Sequence, residues 1–416
     1  MPTRALLSVD TFLLRKIHDS IGRGPVQFRL AGNGAMWPLA IDAPIQVVIA
    51  DRRTLSELLF NPELAFGDAY SDGRIEVRGD LTRLIEIILR SQLEAGQTPW
   101  LSRLWNSWLD LVQANTVKGS HRNIHRHYDL SANFYKLWLD SRMIYTCAYF
   151  PDPSVSLEAA QVAKMEHVCR KLCLRPDETV VEAGCGWGAL ALWMASHYGV
   201  RVRSFNISHE QILFARDRAR QEGLSDRIEF VEDDYRNISG RYDAFVSVGM
   251  LEHVGPEHYQ EFGTIIHRAI GNSGRGLVHF IGKNQPLPFS PWIRKRIFPG
   301  AYAPALRQVM DVFEPFNFSV LDVENLRPHY ARTVEHWLSQ FERSSNKVSA
   351  MFDSEFVRAW RLYLCGSIAS FRVGNLQLFQ VLFAGSQCSS VPWTRAHMYA
   401  DDRSEEKQAA WIQSAS

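Results

Sequence analysis

The stretch Thr179-Val-Val-Glu-Ala-Gly-Cys-Gly-Trp-Gly188 decides the fold that we predict for this chain. Thr179, Val180 and Val181 are predicted to form a short buried strand, and three alternating glycines separate it from a predicted apolar helix over 189–197. Glycines at a turn between a strand and a helix permit tight backbone and leave N–H groups at the helix N-terminus open to a ligand. The stretch therefore predicts an α/β fold with a ligand site at its glycine loop.

The alternation of strands and helices continues on both sides of this loop. A helical segment over 157–174 precedes it, and further strands are predicted at 200–205, 228–231, 242–248 and 277–281. Strands and helices that alternate at this spacing predict a doubly wound, mostly parallel sheet. We therefore expect a Rossmann-like α/β domain over 121–395.

The N-terminal part of the chain has another pattern. An opening helix precedes alternating strands at 26–30 and 45–49, a short strand at 75–77 and a helix at 81–89. This order predicts a small α+β domain over 1–95. Residues 96–120 are polar and contain tryptophans, and we interpret them as a helical connector. Residues 396–416 are predicted to be a polar tail.

Composition restricts the class of protein. The 46 Lys and Arg against 45 Asp and Glu give a net charge of +1, so we expect no nucleic-acid partner. No run of about 18 apolar residues occurs, so membrane contact must be peripheral. Residues 1–16 mix charged with apolar side chains and predict no signal peptide. The six cysteines are too few for a disulfide scaffold and lack zinc spacing, which predicts a cytoplasmic protein without a metal site.

The glycine loop favours S-adenosylmethionine over a dinucleotide as cofactor. Gly188 comes one residue earlier than the third glycine of the dinucleotide motif G-x-G-x-x-G. Glu182 lies two residues before Gly184, where a carboxylate repels a pyrophosphate but can pair with an ammonium. A cationic cofactor with an amino-acid tail fits these features better.

Polar residues follow the next two strands. Asn206 and Gln211 are the candidates for the cofactor ribose, because the second strand does not end on an acid. Asp233 and Asp234 follow the third strand, where an acid can meet the adenine amine. A solvated loop is the alternative interpretation of these two aspartates.

A series of further motifs occurs in order between about 120 and 383. They are His127-Tyr-Asp-Leu130, Asn133-Phe-Tyr135, Tyr145-Thr-Cys-Ala-Tyr-Phe150, Glu182-Ala-Gly-Cys-Gly-Trp-Gly188, Gly249-Met-Leu-Glu-His-Val-Gly255, Ile297-Phe-Pro-Gly300, His329-Tyr330, Phe371-Arg372 and Gln377-Leu378 with Gln380. Together they resemble the cyclopropane-fatty-acyl-phospholipid synthase family, which includes the mycolic acid cyclopropane synthases. The resemblance implies a class I methyltransferase fold. Residues 1–95 resemble the accessory lipid-facing domain of the bacterial synthases.

The resemblance implies transfer of a methylene group from S-adenosylmethionine to the cis double bond of an unsaturated acyl chain in a membrane phospholipid. The product would carry a cyclopropane ring. The implied partner is a phospholipid bilayer surface, which the protein would contact peripherally at the inner membrane from the cytoplasm. A homodimer is the one protein partner that we consider.

The resemblance also implies two sets of site residues. The cofactor set is Tyr145, Thr146, Glu182, Gly184, Gly186, Gly188, Asn206, Gln211, Asp234 and Tyr235. A bicarbonate ion would act as general base. The positions that match its site are Cys147, Glu252, His279, Ile281 (through its backbone) and Tyr330.

Two other functions stay open. The first is C-methylation of an unsaturated acyl chain or another lipid without ring closure. It is kept open by Asn206 and Phe280, which stand where the family usually has threonine. The second is a lipid-binding protein with an inactive catalytic domain, which the presence of Glu252, His279 and Tyr330 disfavours.

One segment has the pattern of a membrane-interface strip. It interleaves rings with basic side chains at Phe289, Trp292, Arg294, Lys295, Arg296 and Phe298. Such a mixture is typical of segments that lie in the headgroup region. We therefore interpret 289–298 as a candidate interfacial segment, with a solvated loop that has a few packed rings as the alternative.

Overall fold

The computed structural model describes residues 8–32, 34–39, 43–95, 131–390 and 392–399. The predicted connector at 96–120, the motif at 127–130 and the predicted tail from 400 onward lie outside the described residues. The chain forms two compact units, neither of which is one continuous segment. Their ranges are Met1–Leu139, Ile281–Ala305 and Arg327–Leu378 for the first unit, and Asp140–Phe280, Leu306–Leu326 and Phe379–Ser416 for the second. The predicted domain boundaries stay a prediction.

Helices and strands are numbered here in chain order. The α-helices are α1 Val9–Ser20, α2 Arg52–Phe60, α3 Pro62–Ser71, α4 Leu81–Ala95, α5 Ala132–Tyr135, α6 Leu157–Lys171, α7 Ala189–Tyr198, α8 His209–Gln221, α9 Tyr259–Ile270, α10 Leu306–Val309, α11 Arg327–Met351, α12 Ser354–Val373 and α13 Ala396–Tyr399. The strands are β1 Val26–Leu30, β2 Met36–Trp37, β3 Ile45–Ile49, β4 Ile75–Arg78, β5 Thr179–Ala183, β6 Arg201–Asn206, β7 Ile228–Glu232, β8 Ala244–Val248, β9 Arg275–Gly282, β10 Ser319–Asn325 and β11 Gln377–Ala384.

The first unit contains a four-stranded sheet with the order β2-β1-β3-β4. β1 and β3 are parallel, and the other two pairs are antiparallel. In β3 the apolar side chains Ile45, Val47 and Ile49 are buried in alternation, as the period of two predicts. Asp51 caps α2 by accepting a hydrogen bond from the Thr54 N–H at 2.8 Å. The elements predicted for residues 1–95 are therefore confirmed.

The long helices α11 and α12 belong to the same unit and pack on each other, and α12 also packs on the N-terminal helices α3 and α4. Trp138 lies edge-on to Trp337 and to Trp360, with ring centroids 5.7 and 5.8 Å away. Arg358 donates hydrogen bonds from α12 to the carbonyl oxygens of Tyr70 and Ile75, at 2.6 and 2.7 Å. These contacts bury polar backbone of the N-terminal elements against α12.

Two residues of the segment interpreted as an interfacial strip are buried, so that interpretation is wrong for Trp292 and Arg294. Trp292 and Arg294 are 4% and 3% exposed. Arg296 forms a bidentate pair with Asp68, in which both N···O distances are 2.9 Å. Trp292 packs so closely on Gly67 that a Cβ at that glycine would lie 2.2 Å from the indole. Trp292 and Arg294 are therefore buried within the first unit, and the exposed Arg296 is held there by its ion pair with Asp68. Lys295 is exposed and forms no ion pair with the described part of the chain.

The second unit is built on a seven-stranded sheet with the order β10-β11-β9-β8-β5-β6-β7. The pairs among β5 to β9 are parallel, whereas β10 and β11 are antiparallel. Neighbouring residues of one strand enter different apolar clusters: Val180 and Val181 of β5 do so, as do Leu277 and Val278 of β9. Both faces of the sheet are therefore covered, and the predicted doubly wound, mostly parallel sheet is confirmed.

Residues 392–399 also pack within the second unit. The short helix α13 carries Met398 into the apolar core, where it is 5% exposed. Arg395 pairs with Asp322 of β10 at 2.6 Å. All six cysteines are free thiols. Within the described ranges, none of the helices combines the length and the apolar character needed to cross a bilayer.

Candidate active site

The glycine loop connects β5 to α7 in a backbone conformation that favours glycine. Gly184, Gly186 and Gly188 all have positive φ, at +86°, +51° and +83°. A Cβ at Gly186 would meet nothing within 4 Å, whereas one at Gly188 would lie 2.7 Å from Ala215 and 2.9 Å from Phe230. The surface of the loop at Gly186 is therefore open to a ligand, and Gly188 lets α7 pack closely on its neighbours.

Glu182 lies at the end of β5 and is 2% exposed. Its carboxylate accepts a hydrogen bond from Ser204 Oγ on the adjacent strand at 2.7 Å. Burial raises the pKa of Glu182 to about 7, against the opposing effects of Ser204 and of the Lys164 ammonium. The positive charge that lowers the pKa of Glu182 therefore comes from Lys164 of the chain itself. A direct contact of Glu182 with the cofactor stays a prediction.

Asn206 and Gln211, the residues predicted to meet the ribose, lie in hydrogen-bond contact. Asn206 Nδ2 donates to Gln211 Oε1 at 2.7 Å and to the Gly186 carbonyl at 3.3 Å. The backbone N–H of Ser208 donates to Asn206 Oδ1 at 3.2 Å. Asn206 therefore fixes the end of β6 to the glycine loop and orients the Gln211 amide, which sequence reasoning did not indicate.

Asp234 and Tyr235 follow β7 as predicted, but Asp234 has a partner that the sequence analysis missed. Both carboxylate oxygens are bonded to Arg236, Oδ1 to its backbone N–H and Oδ2 to its guanidinium, each at 2.9 Å. Tyr235 lies edge-on to Phe262, and burial raises the pKa of its phenol above the usual range. The Tyr235 hydroxyl has no hydrogen-bond partner among the described residues.

Glu252 and His279 come from adjacent strand ends. Glu252 lies in the 3₁₀ turn Leu251–His253 after β8 and is 5% exposed, and His279 lies in β9 and is 1% exposed. Gly249 connects the two segments, because its N–H donates to the His279 carbonyl at 2.8 Å. Burial lowers the pKa of His279 to about 3, so its imidazole is neutral near pH 7.

Gln380 is a site residue for which the sequence analysis gave no role. It is fully buried in β11, and its Nε2 lies 3.0 Å from His279 Nδ1. With the amide nitrogen donating, Nδ1 is the acceptor and the ring hydrogen lies on Nε2. The buried Nε2 of His279 has no partner in the described part of the chain, so it can donate to a bound acceptor. Gln380 stands in one of the family motifs, but spacing alone does not show what it contacts.

We expect Gln380→Glu to lower activity by about 100-fold, and Gln380→Leu by about tenfold. An ionised carboxylate only accepts, so it moves the ring hydrogen of His279 to Nδ1 and leaves Nε2 unable to donate. The leucine removes the constraint without imposing the wrong tautomer. Nitrogen-15 NMR of the histidine side chains reports the tautomer directly. An unchanged tautomer together with full activity in Gln380→Glu would refute this role.

The segment 145–147 contributes to both predicted sets. Cys147 is fully buried and its thiol donates to the Ala148 carbonyl at 3.1 Å, which fits a contact through backbone better than a reactive thiol. Thr146 Oγ1 accepts a hydrogen bond at 3.0 Å from Lys164, a second residue that sequence reasoning missed. The helical period could have indicated that Lys164 is buried, because it stands on the apolar face of α6, four residues from Ala160 and from Val168, which are both buried.

Tyr330 and Ile281 belong to the first unit. Tyr330 is buried in the first turns of α11, where it stacks on Phe371 at 4.6 Å and lies edge-on to Trp337 at 6.0 Å. Ile281 is half-buried near the end of β9. Their membership of the predicted bicarbonate set stays a prediction from the motifs.

These residues fit a cofactor at the carboxyl ends of the parallel strands. The backbone at Gly186 is open, polar side chains follow β5, β6 and β7, and His279 presents a buried nitrogen without a partner among the described residues. A mostly parallel seven-stranded sheet with a glycine loop after its first strand and this pattern of side chains defines a class I S-adenosylmethionine-dependent methyltransferase.

Comparisons with known proteins identify the family. The sequence profile described as mycolic acid cyclopropane synthetase matches residues 115–381, and a profile described as a domain of unknown function matches residues 40–96. The chain belongs to the mycolic acid cyclopropane synthetase family, and it is an S-adenosylmethionine-dependent methyltransferase. The predictions of family, fold class and enzyme class are therefore confirmed.

Individual relatives cover most of the chain. A probable fatty acid methyltransferase of Pseudomonas putida is 31% identical over 90% of this chain and 96% of its own length. The cyclopropane-fatty-acyl-phospholipid synthase of Escherichia coli K12 is 34% identical over 82% of this chain and 88% of its own. A crystal structure of a mycolic acid cyclopropane synthase complexed with SAH and CTAB is 29% identical, with a TM-score of 0.60 over 63% of this chain and 97% of that one.

Proposed function

We propose that this enzyme transfers a methylene group from S-adenosylmethionine to the cis double bond of unsaturated acyl chains in membrane phospholipids, and so forms a cyclopropane ring. The observation that carries the proposal is His279, a buried neutral histidine whose Nε2 has no partner among the described residues and whose Nδ1 is held by Gln380. The name of the Escherichia coli relative supports the substrate class.

Methyl transfer to an alkene leaves a carbocation, and ring closure then requires loss of a proton. A bound bicarbonate would supply a general base that a sulfonium does not readily alkylate. His279 Nε2–H donates to an acceptor at this place without bringing a positive charge. Glu252 is buried, and two anions in contact repel each other, so we infer that Glu252 and the anion share a proton.

The remaining members of the proposed bicarbonate site, Cys147, Ile281 and Tyr330, would hold the anion in place. We assign Cys147 and Ile281 to backbone contacts and Tyr330 to a hydroxyl contact, following the motifs in which they stand. The full burial of Cys147 and the bond of its thiol to the Ala148 carbonyl support the backbone assignment. The stacking of Tyr330 on Phe371 supports a fixed orientation of its ring.

We also propose that residues 1–95 contact the bilayer peripherally, at the inner membrane from the cytoplasm. The support is the exposure of large apolar side chains on two N-terminal helices: Val9 and Phe12 on α1 are 72% and 48% exposed, and Phe60 at the end of α2 is 82% exposed. Lys16 lies 5.5 Å from the Phe12 ring centroid, a pairing of cation and ring that suits an anionic lipid surface. A homodimer stays a prediction.

The second candidate function is C-methylation without ring closure. Two relatives favour it by name: the probable fatty acid methyltransferase of Pseudomonas putida, and a tuberculostearic acid methyltransferase of Mycobacterium tuberculosis that is 31% identical over 76% of this chain. Phe280 also departs from the usual threonine of the ring-forming motif and is fully buried against Phe379. The same carbocation gives a methylated alkene when the proton leaves from another carbon.

Product analysis separates the two functions. We expect lipids from cells that express this chain to gain one CH₂ by mass spectrometry and to lose the vinyl protons of the modified chain by NMR. The gain with vinyl protons retained would establish C-methylation instead. No gain, in cells where the protein is present and binds S-adenosylhomocysteine, would contradict both functions and support a lipid-binding protein. Cells that express Glu252→Gln are the matched control.

A further inference from the structure

Lys164 is a buried ammonium that the proposed chemistry does not yet use. It is 3% exposed, and its one hydrogen bond within the described ranges goes to Thr146 Oγ1 at 3.0 Å; no carboxylate there forms an ion pair with it. Burial lowers the pKa of Lys164 to about 8, while Asp140, Cys147 and Glu182 favour the charged form. A buried cation with only a neutral hydroxyl as direct partner is costly unless it acts on an anion nearby.

The hydrogen bond determines what the Thr146 hydroxyl can do. An ammonium only donates, so Oγ1 is the acceptor and the hydroxyl hydrogen remains available. No acceptor for that hydrogen lies among the residues that the structure describes. Donation from a charged group also polarises the hydroxyl and strengthens its own donation. Thr146 is half-buried, so a ligand can reach it.

The position of Thr146 is fixed from several sides. Gln161, one turn before Lys164 on α6, donates to the Thr146 carbonyl at 3.0 Å. The Thr146 methyl group lies against Gly249, where an added Cβ would come within 2.9 Å of it. Asp140 accepts from the Ile144 N–H at 2.9 Å and so holds the start of the segment. These contacts hold the Thr146 side chain with its hydroxyl oxygen toward Lys164 and its methyl group toward Gly249.

We propose that Lys164 is a positioning residue that makes the Thr146 hydroxyl a directed, polarised donor to a carboxylate-type anion bound in the second unit. Two anions have this chemistry: the amino-acid carboxylate of S-adenosylmethionine and the bicarbonate of the proposed function. The first requires only the methyltransferase class, and the second rests on the proposed function. The two sources are distinguished by measuring them separately.

The first arm measures binding by calorimetry in bicarbonate-free buffer, without lipid. We expect Lys164→Met to weaken S-adenosylhomocysteine about 10- to 100-fold and to leave 5′-methylthioadenosine, which lacks the amino-acid tail, within twofold of the wild type. Thr146→Val should reproduce this loss, and the double variant should lose no more than either single one. Lys164→Arg should recover part of the affinity. Because this arm measures binding and not product formation, its result does not depend on whether the proposed function is correct.

The second arm measures the bicarbonate concentration that gives half-maximal turnover. A rise of at least tenfold in Lys164→Met, with S-adenosylhomocysteine affinity unchanged, would assign the anion as bicarbonate. The proposal is overturned if neither quantity changes, or if S-adenosylhomocysteine and 5′-methylthioadenosine weaken equally. It is also overturned if Thr146→Val binds and turns over as the wild type does. If Lys164→Met does not fold, Thr146→Val alone tests the proposal.

Discussion

Glu252→Gln is expected to lower product formation by about 10²- to 10⁴-fold, the range typical of a lost contribution to general acid–base catalysis. The amide has nearly the same shape as the carboxyl group, but it cannot exchange a proton with a bound anion. Glu252 is 5% exposed in the turn after β8, so solvent does not replace it. Affinity for S-adenosylhomocysteine should stay within about twofold, because the cofactor set is separate.

Glu257→Gln is the matched control for this variant. Glu257 lies five residues further along the chain and its side chain is 56% exposed, so the same chemical change removes a solvated charge. We expect its activity to equal that of the wild type. Full turnover in Glu252→Gln would show that the assignment of this residue to the anion site is wrong. A matching loss of S-adenosylhomocysteine affinity would instead place Glu252 in the cofactor set.

Gly188→Ala is expected to lower the free energy of unfolding by about 2–5 kcal/mol. Part of this loss is the strain of an L-residue at φ +83°, about 1–2 kcal/mol. The rest is overpacking, about 1–3 kcal/mol, because the added Cβ would lie 2.7 Å from Ala215 and 2.9 Å from Phe230. Both neighbours belong to the apolar core of the second unit and cannot move away freely. Denaturant unfolding measures the effect.

Gly186→Ala separates strain from packing. It has the same substitution in the same loop at φ +51°, but its Cβ would meet nothing within 4 Å. We expect it to lose only about 1–2 kcal/mol of stability while weakening S-adenosylhomocysteine, because its methyl group projects into the space left for a ligand. Equal stability of the two variants would show that Gly188 has no packing role.

Much of the fold was predictable because its signals are local. The period of two in β3 and the glycine loop after β5 are each read from a few neighbouring residues, and the structure has both. The predicted strand segments of the α/β domain recur as β5 to β9 within one or two residues. The cofactor class followed from the glycine spacing together with Glu182. These features depend on backbone conformation and side-chain period, which a short window contains.

The membership of the candidate site stays a prediction, and the hydrogen-bond partners of its members were not predictable from the sequence. Asn206 and Gln211 stay predicted ligands of the ribose, and the sequence did not indicate that Asn206 donates hydrogen bonds to Gln211 and to the glycine loop. The basic and aromatic segment had the composition of an interface, yet Trp292 and Arg294 are buried. Composition does not distinguish a ring that meets a membrane from one that fills a core, because both environments are apolar.

The sequence by itself determined the alternation of elements, the glycine loop, the cofactor class and the family, since each is a pattern of residues close together or in fixed order. Only the tertiary structure decided which side chains act on others. Gln380 meets His279 across 101 residues of chain, and Lys164 meets Thr146 across 18. The physical reason is that tautomer, donor direction and pKa depend on burial and on the groups within hydrogen-bond distance, and these arise only when distant segments pack into one core.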